Sequence, residues 1–500
     1  MACELSRRPV CFNGMKPPIV AMAVFWTLLF GFLVRVQTFR VPVFDHHNWR
    51  QADTAQIARN FWRERFNPLF PQVDQRGAQE HGYVETGFEI YAFAIACVAR
   101  VAGFHPEIGR VLNTLLFVGS GLLVFRFLAR RYDATAALIG LFVYAFGLPL
   151  SLFLDRSIMN EPSLMFLSLV CLASAQAHVA GREWHAAAAL IVASALLGMI
   201  KFPYLFMWGP VFGLFLEQHG RRALKQWLLY VVAVVDLTAA GLWYWHAHGL
   251  GQLTGLSFGL FDKTFDVRLV LSVSFYLKIL ARLTKDILGP VGVAAAAVGL
   301  IVAVHRRLWP EILGVAAFIA YVILVARGND VHDYYQVAVV PVAVMLIATG
   351  LPAGIRFLSR TDAARLAGVT LALAAMLCST FVRSVSFHSW YEYDLDRVQL
   401  CRDLQPQLRS NDLVAFLDYP SPDLLFCLDR HGWLFGAGTW SAGDLLTVWR
   451  QGAAVLVLPA SVSAADLPGA MNERSVLIAR SGHLSAFRLQ PLPRDLEAVR

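Results

Sequence analysis

The chain is short of charge: Asp, Glu, Lys and Arg make up only 16% of its 500 residues. A water-soluble protein of this size covers its surface with roughly 25% of such residues, so an assembly of soluble domains is excluded. The seven cysteines are scattered and odd in number, which excludes a zinc motif or a disulfide framework. There is no internal repeat, and no Gly-rich nucleotide fingerprint at a strand–helix turn. The opening residues are not expected to act as a cleavable leader. Arg7, Arg8 and Lys16 precede an apolar run, 18–37, that is too long for a signal core and lacks a cleavage site. The net charge of +8 comes from basic doublets at the ends of apolar runs, not from a basic face. It reports orientation in a membrane and excludes nucleic acid as a partner.

What is present is apolar sequence, 57% of the chain, in runs long enough to cross a bilayer. The basic clusters are Arg130 and Arg131; Arg182; Arg221, Arg222 and Lys225; Arg306 and Arg307; and Arg356, Arg360 and Arg365. Placing all of them in the cytoplasm predicts a first span at 18–37. Further spans follow at 107–129, 134–154, 162–180, 184–200, 203–219, 226–246, 287–304, 309–326, 334–352 and 365–383. The N-terminus is then inside. This parity forbids a crossing at 88–103, which is expected to lie along the outer face, as is 269–288 with its interrupting Lys278, Arg282 and Lys285.

The expected architecture is an all-α polytopic membrane protein of about eleven transmembrane helices plus juxtamembrane helices. Residues 1–383 form the membrane domain, with a first extracytoplasmic loop at 38–106. Residues 384–500 form a small extracytoplasmic α/β domain with a strand near 412–418, a helix at 441–451 and a strand at 454–459. Ser441 and Asp444 make an N-cap pair for that helix. Cys401 and Cys427 fall in this domain and can pair outside the cytoplasm. Asp236 is the one acid in the middle of a span, and the alanine runs 186–189 and 294–297 suit close helix packing.

The polar residues that need explaining collect at outer boundaries. The first loop carries Asp45, His47, Asn48, Trp49, Arg50, Gln51 and Asp53. A helix starting near Trp49 puts Ile57, Ala58 and Phe61 on an apolar side and Arg50 and Asp53 one turn apart, where an ordinary surface ion pair is the plainer reading. The second loop carries Asp155, Arg156, Asn160, Glu161 and Pro162. Pro162 and Glu161 suit the first turn of a helix, which accounts for Glu161 without function but leaves the other charges unexplained. A third boundary carries Asn329, Asp330, His332, Asp333, Tyr334, Tyr335 and Gln336. The tyrosines alone fit an interfacial belt; a histidine between aspartates fits a phosphate, with Asp330 or Asp333 fixing its tautomer. Lys201 adds a cation at the end of a span, where snorkelling is the competing reading. Carboxylates beside cations suit displacement of a lipid phosphate from a sugar: a carboxylate takes the acceptor's proton, and cations hold the charge of the departing phosphate.

These loops resemble the polyprenyl-phosphate-dependent glycosyltransferases of the GT-C fold, the broad group of the protein O-mannosyltransferases and the lipid A aminoarabinose transferases. The resemblance is to bacterial family 39-like members and covers roughly 18–352. Its elements are His47-Asn48-Trp49-Arg50-Gln51-Ala52-Asp53, Met159-Asn160-Glu161-Pro162 and His332-Asp333-Tyr334-Tyr335, in matching order. It implies a glycosyltransferase taking a sugar from a polyprenyl-phosphate donor to a lipid, polysaccharide or protein acceptor with inversion, in the inner cell membrane. It also implies an acidic base in the first loop. Many relatives place that acid in an Asp-Glu pair where this chain has Arg50 and Gln51, so the role moves to Asp53, with Asp45 in reserve. Glu161 becomes a second active-site acid. Lys201 and His332 become phosphate ligands, joined in substrate binding by His47, Arg50, Arg156, Asp333, Tyr334 and Tyr335. Relatives often have an acid and Phe-Pro where this chain reads Glu85-Thr86-Gly87-Phe88-Glu89. No close Asp-x-Asp occurs in the first two loops, so catalysis is expected to need no cofactor, although some members use a divalent metal. The competing class is a transporter or flippase for a lipid-linked or anionic substrate. That class usually shows inverted repeats and helices broken at the midplane.

Overall fold

The computed structural model describes residues 16–491 apart from 38, 182, 260–261, 387, 419, 437 and 464–465, with side chains at 385–389 also left aside. Arg7, Arg8 and Arg182 of the topology argument lie outside the described residues. The first span is α1 (Pro17–Val36), with proline in its first turn, where the missing N–H has no helical partner to lose. The loop after it holds α2 (Asn48–Arg63) and α3 (Ile90–Ala102). Then come α4 (Glu107–Arg131), α5 (Ala134–Phe146), α6 (Pro149–Leu154), α7 (Glu161–Gly181) and α8 (Trp184–Ile200). A 3-10 turn, Phe202–Met207, leads into α9 (Trp208–His219), followed by α10 (Trp227–Thr254). Next are α11 (Val267–Val270), α12 (Val273–Arg282), α13 (Gly289–Arg306), α14 (Trp309–Leu324) and α15 (Ala326–Val331). A second 3-10 stretch, Asp333–Val339, runs into α16 (Val340–Leu358), and α17 (Asp362–Ser386) is the last long helix.

Among the described residues, seven helices are long and apolar enough to cross a membrane: α1, α4, α7, α10, α13, the 333–358 stretch ending in α16, and α17. The other expected spans fall on α5 with α6, on α8, on the 3-10 turn with α9, and on α14. Segment 88–103 contains the short helix α3, and 269–288 breaks into parts of α11, α12 and a π turn, Leu283–Ile287. This is a multi-pass helical membrane protein.

The chain forms two compact units. The first comprises 1–39, 110–246 and 259–387; the second comprises 40–109, 247–258 and 388–500. The second unit is discontinuous: it gathers the first loop and the end of α10 with the C-terminal residues, whereas the sequence suggested a single boundary after residue 383. Within the first unit α13 packs on α16 almost backbone to backbone. A Cβ on Gly299 would sit 2.0 Å from the Leu346 carbonyl oxygen, and one on Gly350 would sit 2.0 Å from that of Ala295. In lipid, where the hydrophobic effect no longer drives helices together, such small residues permit the close dispersion contact that does.

In the second unit α18 (His388–Tyr391) and α19 (Leu395–Leu404) precede β1 (Leu413–Phe416), α20 (Asp423–Leu428), β2 (Gly432–Leu434), α21 (Ala442–Arg450), β3 (Ala453–Pro459), α22 (Gly469–Asn472), β4 (Ser475–Ser481) and β5 (Leu484–Leu489). The strands form one mixed sheet in the order β2-β1-β3-β5-β4, parallel at β1 and antiparallel around β5. Alternation along β3 feeds two cores: Val455 and Val457 pack with Leu400 and Leu424, while Leu456 and Leu458 pack with Leu445 and Trp449. The expected strands at 412–418 and 454–459 and the helix at 441–451 are β1, β3 and α21, and Ser441 and Asp444 form a reciprocal capping box. Cys401 and Cys427 are joined in a disulfide that ties α19 to α20.

Candidate active site

Each unit carries part of the expected site. In the first unit the second loop is held from below by α4: Asn113 Nδ2 donates to the carbonyls of Ser157 and Met159, both at 2.8 Å, and the Thr114 hydroxyl donates to that of Asp155. These bonds satisfy a buried stretch of irregular backbone, which in a membrane protein must find its partners inside the protein. The loop delivers Glu161, 3% exposed, to the start of α7. Lys201, at the C-terminal end of α8, extends its ammonium to 3.8 Å from Glu161 Oε1 and 3.4 Å from the centroid of the Tyr335 ring. Tyr334 and Tyr204 flank the same ammonium at 5.3 and 5.6 Å. His332 stacks on Tyr334 and Tyr335, with centroids 5.0 and 5.5 Å away. Three segments far apart in sequence, around Glu161, Lys201 and Tyr335, thus meet within the first unit.

Other residues of these loops are engaged differently. Asp330, offered as a tautomer-fixing partner for His332, is paired with Lys278 at 2.8 Å, and Asp333 opens the 3-10 turn after His332. Arg156 is buried with its guanidinium 4.4 Å from the Phe153 ring. Asp155 receives Nε and Nη2 of Arg35 at 3.0 and 2.8 Å. Arg35 was not singled out in the sequence. Its signal was there, since an arginine inside an apolar run requires a buried carboxylate or carbonyl partner. Beside this pair Ser151, Asp155, Glu161, Tyr144 and Val337 line a small cavity, into which the Ser151 hydroxyl and Glu161 Oε2 bring polar atoms with no hydrogen-bond partner among the described residues.

In the second unit α2 buries Ile57, Ala58 and Phe61, but Gln51, Asp53, Thr54, Gln56, Arg59 and Asn60 are buried too, so the helix is enclosed on every side and not split into an apolar and a solvated face. His47 sits at its N-cap in the left-handed region (φ 59°), and Asp45 is buried and accepts from Gln51 Nε2. Asp53 is 3% exposed. Its Oδ1 accepts from the amide of Gln56 at 2.9 Å and that of Gln75 at 3.4 Å. Arg50 lies 3.6 Å from Glu89, so its close ion pair is with the head of α3 and not with Asp53. Burial pushes the Asp53 carboxyl up to about 7. The charge of Glu89 adds to the rise, while Arg50 and the two amides oppose it. Asp53 at neutral pH is therefore poised between its two forms, the condition a general base needs. Glu89, Gln56 and Gln75 were missed as site residues. Glu89 stood in the segment that departs from the family pattern, whereas nothing in the sequence marks a glutamine as a carboxylate's neighbour.

No family model matches the chain, and no curated protein matches it. Solved structures do. ArnT from Cupriavidus metallidurans bound to undecaprenyl phosphate superposes with a TM-score of 0.62 at 12% identity, covering 96% of this chain and all of that one. The same protein in its apo state gives 0.65 at 12% identity over 95% of this chain and all of that one. The archaeal oligosaccharyltransferase AglB from Archaeoglobus fulgidus, in complex with an inhibitory peptide and a dolichol-phosphate, gives 0.55 at 12% identity over 87% of this chain and 69% of that one. At these identities the likeness is one of fold, and the fold of this chain is the GT-C fold of the membrane glycosyltransferases.

Proposed function

We propose that the chain is a membrane glycosyltransferase that moves a sugar from a polyprenyl-phosphate donor to an acceptor outside the cytoplasm. The observation that carries the reading is Asp53: a buried carboxylate outside the spans, with amide donors on one oxygen and a titration point brought near neutrality. In this reading Asp53 takes the proton from the acceptor hydroxyl as its oxygen attacks the anomeric carbon. The bond from that carbon to the phosphate oxygen breaks, the configuration inverts, and polyprenyl phosphate leaves. Lys201, Arg156 and His332 hold the charge of the departing phosphate, with Tyr334 and Tyr335 walling the ammonium of Lys201. Glu161 keeps that ammonium in place, and the cationic side chains carry the phosphate charge without a metal. Similarity to ArnT, crystallised with undecaprenyl phosphate, supports a lipid-phosphate donor. The Cys401–Cys427 disulfide supports an oxidising, extracytoplasmic setting for the C-terminal domain, with the N-terminus inside.

The test is transfer from polyprenyl-phosphate sugar by purified protein in liposomes, with candidate acceptors outside. Asp53→Asn is expected to cost about 10²–10⁴-fold in rate with folding intact, the usual size of a general-base contribution. Movement of lipid-linked sugar between leaflets with no glycosylated product would replace this reading with the transporter.

A further inference from the structure

The C-terminal domain has no role in the chemistry above, yet its sheet edge reaches the neighbours of Asp53. Strand β2 is the outer strand of the sheet, and such an edge offers unpaired backbone groups. Here the loop 74–77 covers it: the N–H of Gly432 donates to the Asp74 carbonyl at 3.0 Å, and the N–H of Gly77 donates to the Gly432 carbonyl at 2.7 Å. Gly77 is in the left-handed region (φ 58°), and a Cβ there would lie 2.5 Å from Trp433 Nε1, so the loop lies flat against the strand's indole. The side of Asp74 is locked as well, by Arg59 and by Asn60 Nδ2 at 3.0 Å. Arg59 in turn donates to the Phe426 carbonyl and pairs with Asp429 at the end of α20, the helix held by the disulfide.

From that anchored loop, two polar contacts run to α2. The N–H of Asp74 donates to Gln56 Oε1 at 2.8 Å, and Gln75 Oε1 accepts from Gln56 Nε2 at 2.9 Å. Both glutamine amides then present N–H groups to Asp53 Oδ1. An amide can point its oxygen or its nitrogen at a carboxylate, and only the second helps the charged form. The Asp74 N–H settles that choice for Gln56, because it occupies the amide oxygen.

We propose that the C-terminal α/β domain positions the catalytic base: by gripping loop 74–77 along β2, it orients Gln75 and Gln56 so that both donate to Asp53. Gln75 and Gln56 are positioning residues for the transfer reaction. The proposal rests on the reading of Asp53 as the base. The charged groups facing Asp53 among the described residues are Arg50 on its own helix and Glu89 at the head of α3, and both stay in place in the variants below.

The experiment is an infrared titration of the Asp53 carboxyl in the full-length protein in nanodiscs, taken as the difference from Asp53→Asn, alongside the pH profile of transfer. Hydrogen bonds to a carboxylate lower its pKa, so Gln75→Leu should move the titration point up by about one pH unit, and the acid limb of the rate with it. Trp433→Leu, from the domain side, and Gly77→Ala, from the loop side, should each produce a shift in the same direction. Loss of secondary structure in one of these two leaves the other as the test. If Gln75→Leu shifts the titration and neither contact variant does, the domain has no hold on the base and the proposal fails. If Gln75→Leu shifts nothing, it fails as well. An Asp53 titration that responds as expected in a protein without transfer activity would uphold the coupling and overturn the enzyme reading instead.

Discussion

Asp155 and Asp53 are almost equally buried, 4% and 3% exposed, but their surroundings handle the charge in opposite ways. Asp155 meets a guanidinium: two N–H groups of Arg35 converge on one oxygen, while the face of that guanidinium lies 3.6 Å from the Phe117 ring centroid. Its neighbours neutralise it and hold the loop to α1. Among the described residues Asp53 accepts from two neutral amides, and the Arg50 guanidinium lies 3.6 Å from Glu89. Burial raises both carboxyls above the ordinary carboxylate range; the Arg35 guanidinium opposes the rise at Asp155, while at Asp53 Arg50 and the two amides oppose it and Glu89 adds to it. On the proposed reading of Asp53 as the base, the kind of partner distinguishes the two acids where burial does not.

Removing Arg35 is expected to have the largest effect. Arg35→Met leaves the Asp155 charge buried without its partner and is expected to cost about 3–5 kcal/mol, read as a lower melting temperature of the purified protein in detergent. An unchanged melting temperature would mean the pair holds nothing. A second effect, of comparable size, is expected from Asp53→Asn on the pH dependence of stability, as distinct from activity. The folded carboxyl titrates at about 7 against an ordinary 3.8, so the folded state holds the proton more tightly. Its stabilising contribution is present below the unfolded value and is lost as pH rises towards 7. Wild type should therefore lose stability relative to Asp53→Asn between pH 4 and 7, and parallel melting curves across that range would contradict the assignment. The smallest effect sharpens the comparison on the rate itself. Glu89→Gln removes a like charge and should move the acid limb of transfer down, while Arg50→Gln removes an opposite charge and should move it up, each by less than about one pH unit. Shifts of the same sign would show that the limb does not report Asp53.

Much of the architecture was legible. Apolar length marked the seven helices that are long enough to cross a membrane among the described residues, because backbone in lipid must be helical. Ser441 and Asp444 marked the start of α21 because a capping box is made within four residues. The candidate residues were legible as residue types at boundaries, and the structure brings Glu161, Lys201 and Tyr335 of that set together. The partners were not. Arg35 finds Asp155 120 residues away, and β2 was too short, at three residues, to show an alternating pattern.

Local composition and solvent thus set the class of the molecule, its long apolar helices and the inventory of acids and cations near their ends. Which acid meets a guanidinium and which meets amides follows from the fold. Proton affinity depends on what lies within a few ångströms in space: a guanidinium from α1 for Asp155, and for Asp53 two amides steadied by a loop lying along the edge of the C-terminal sheet.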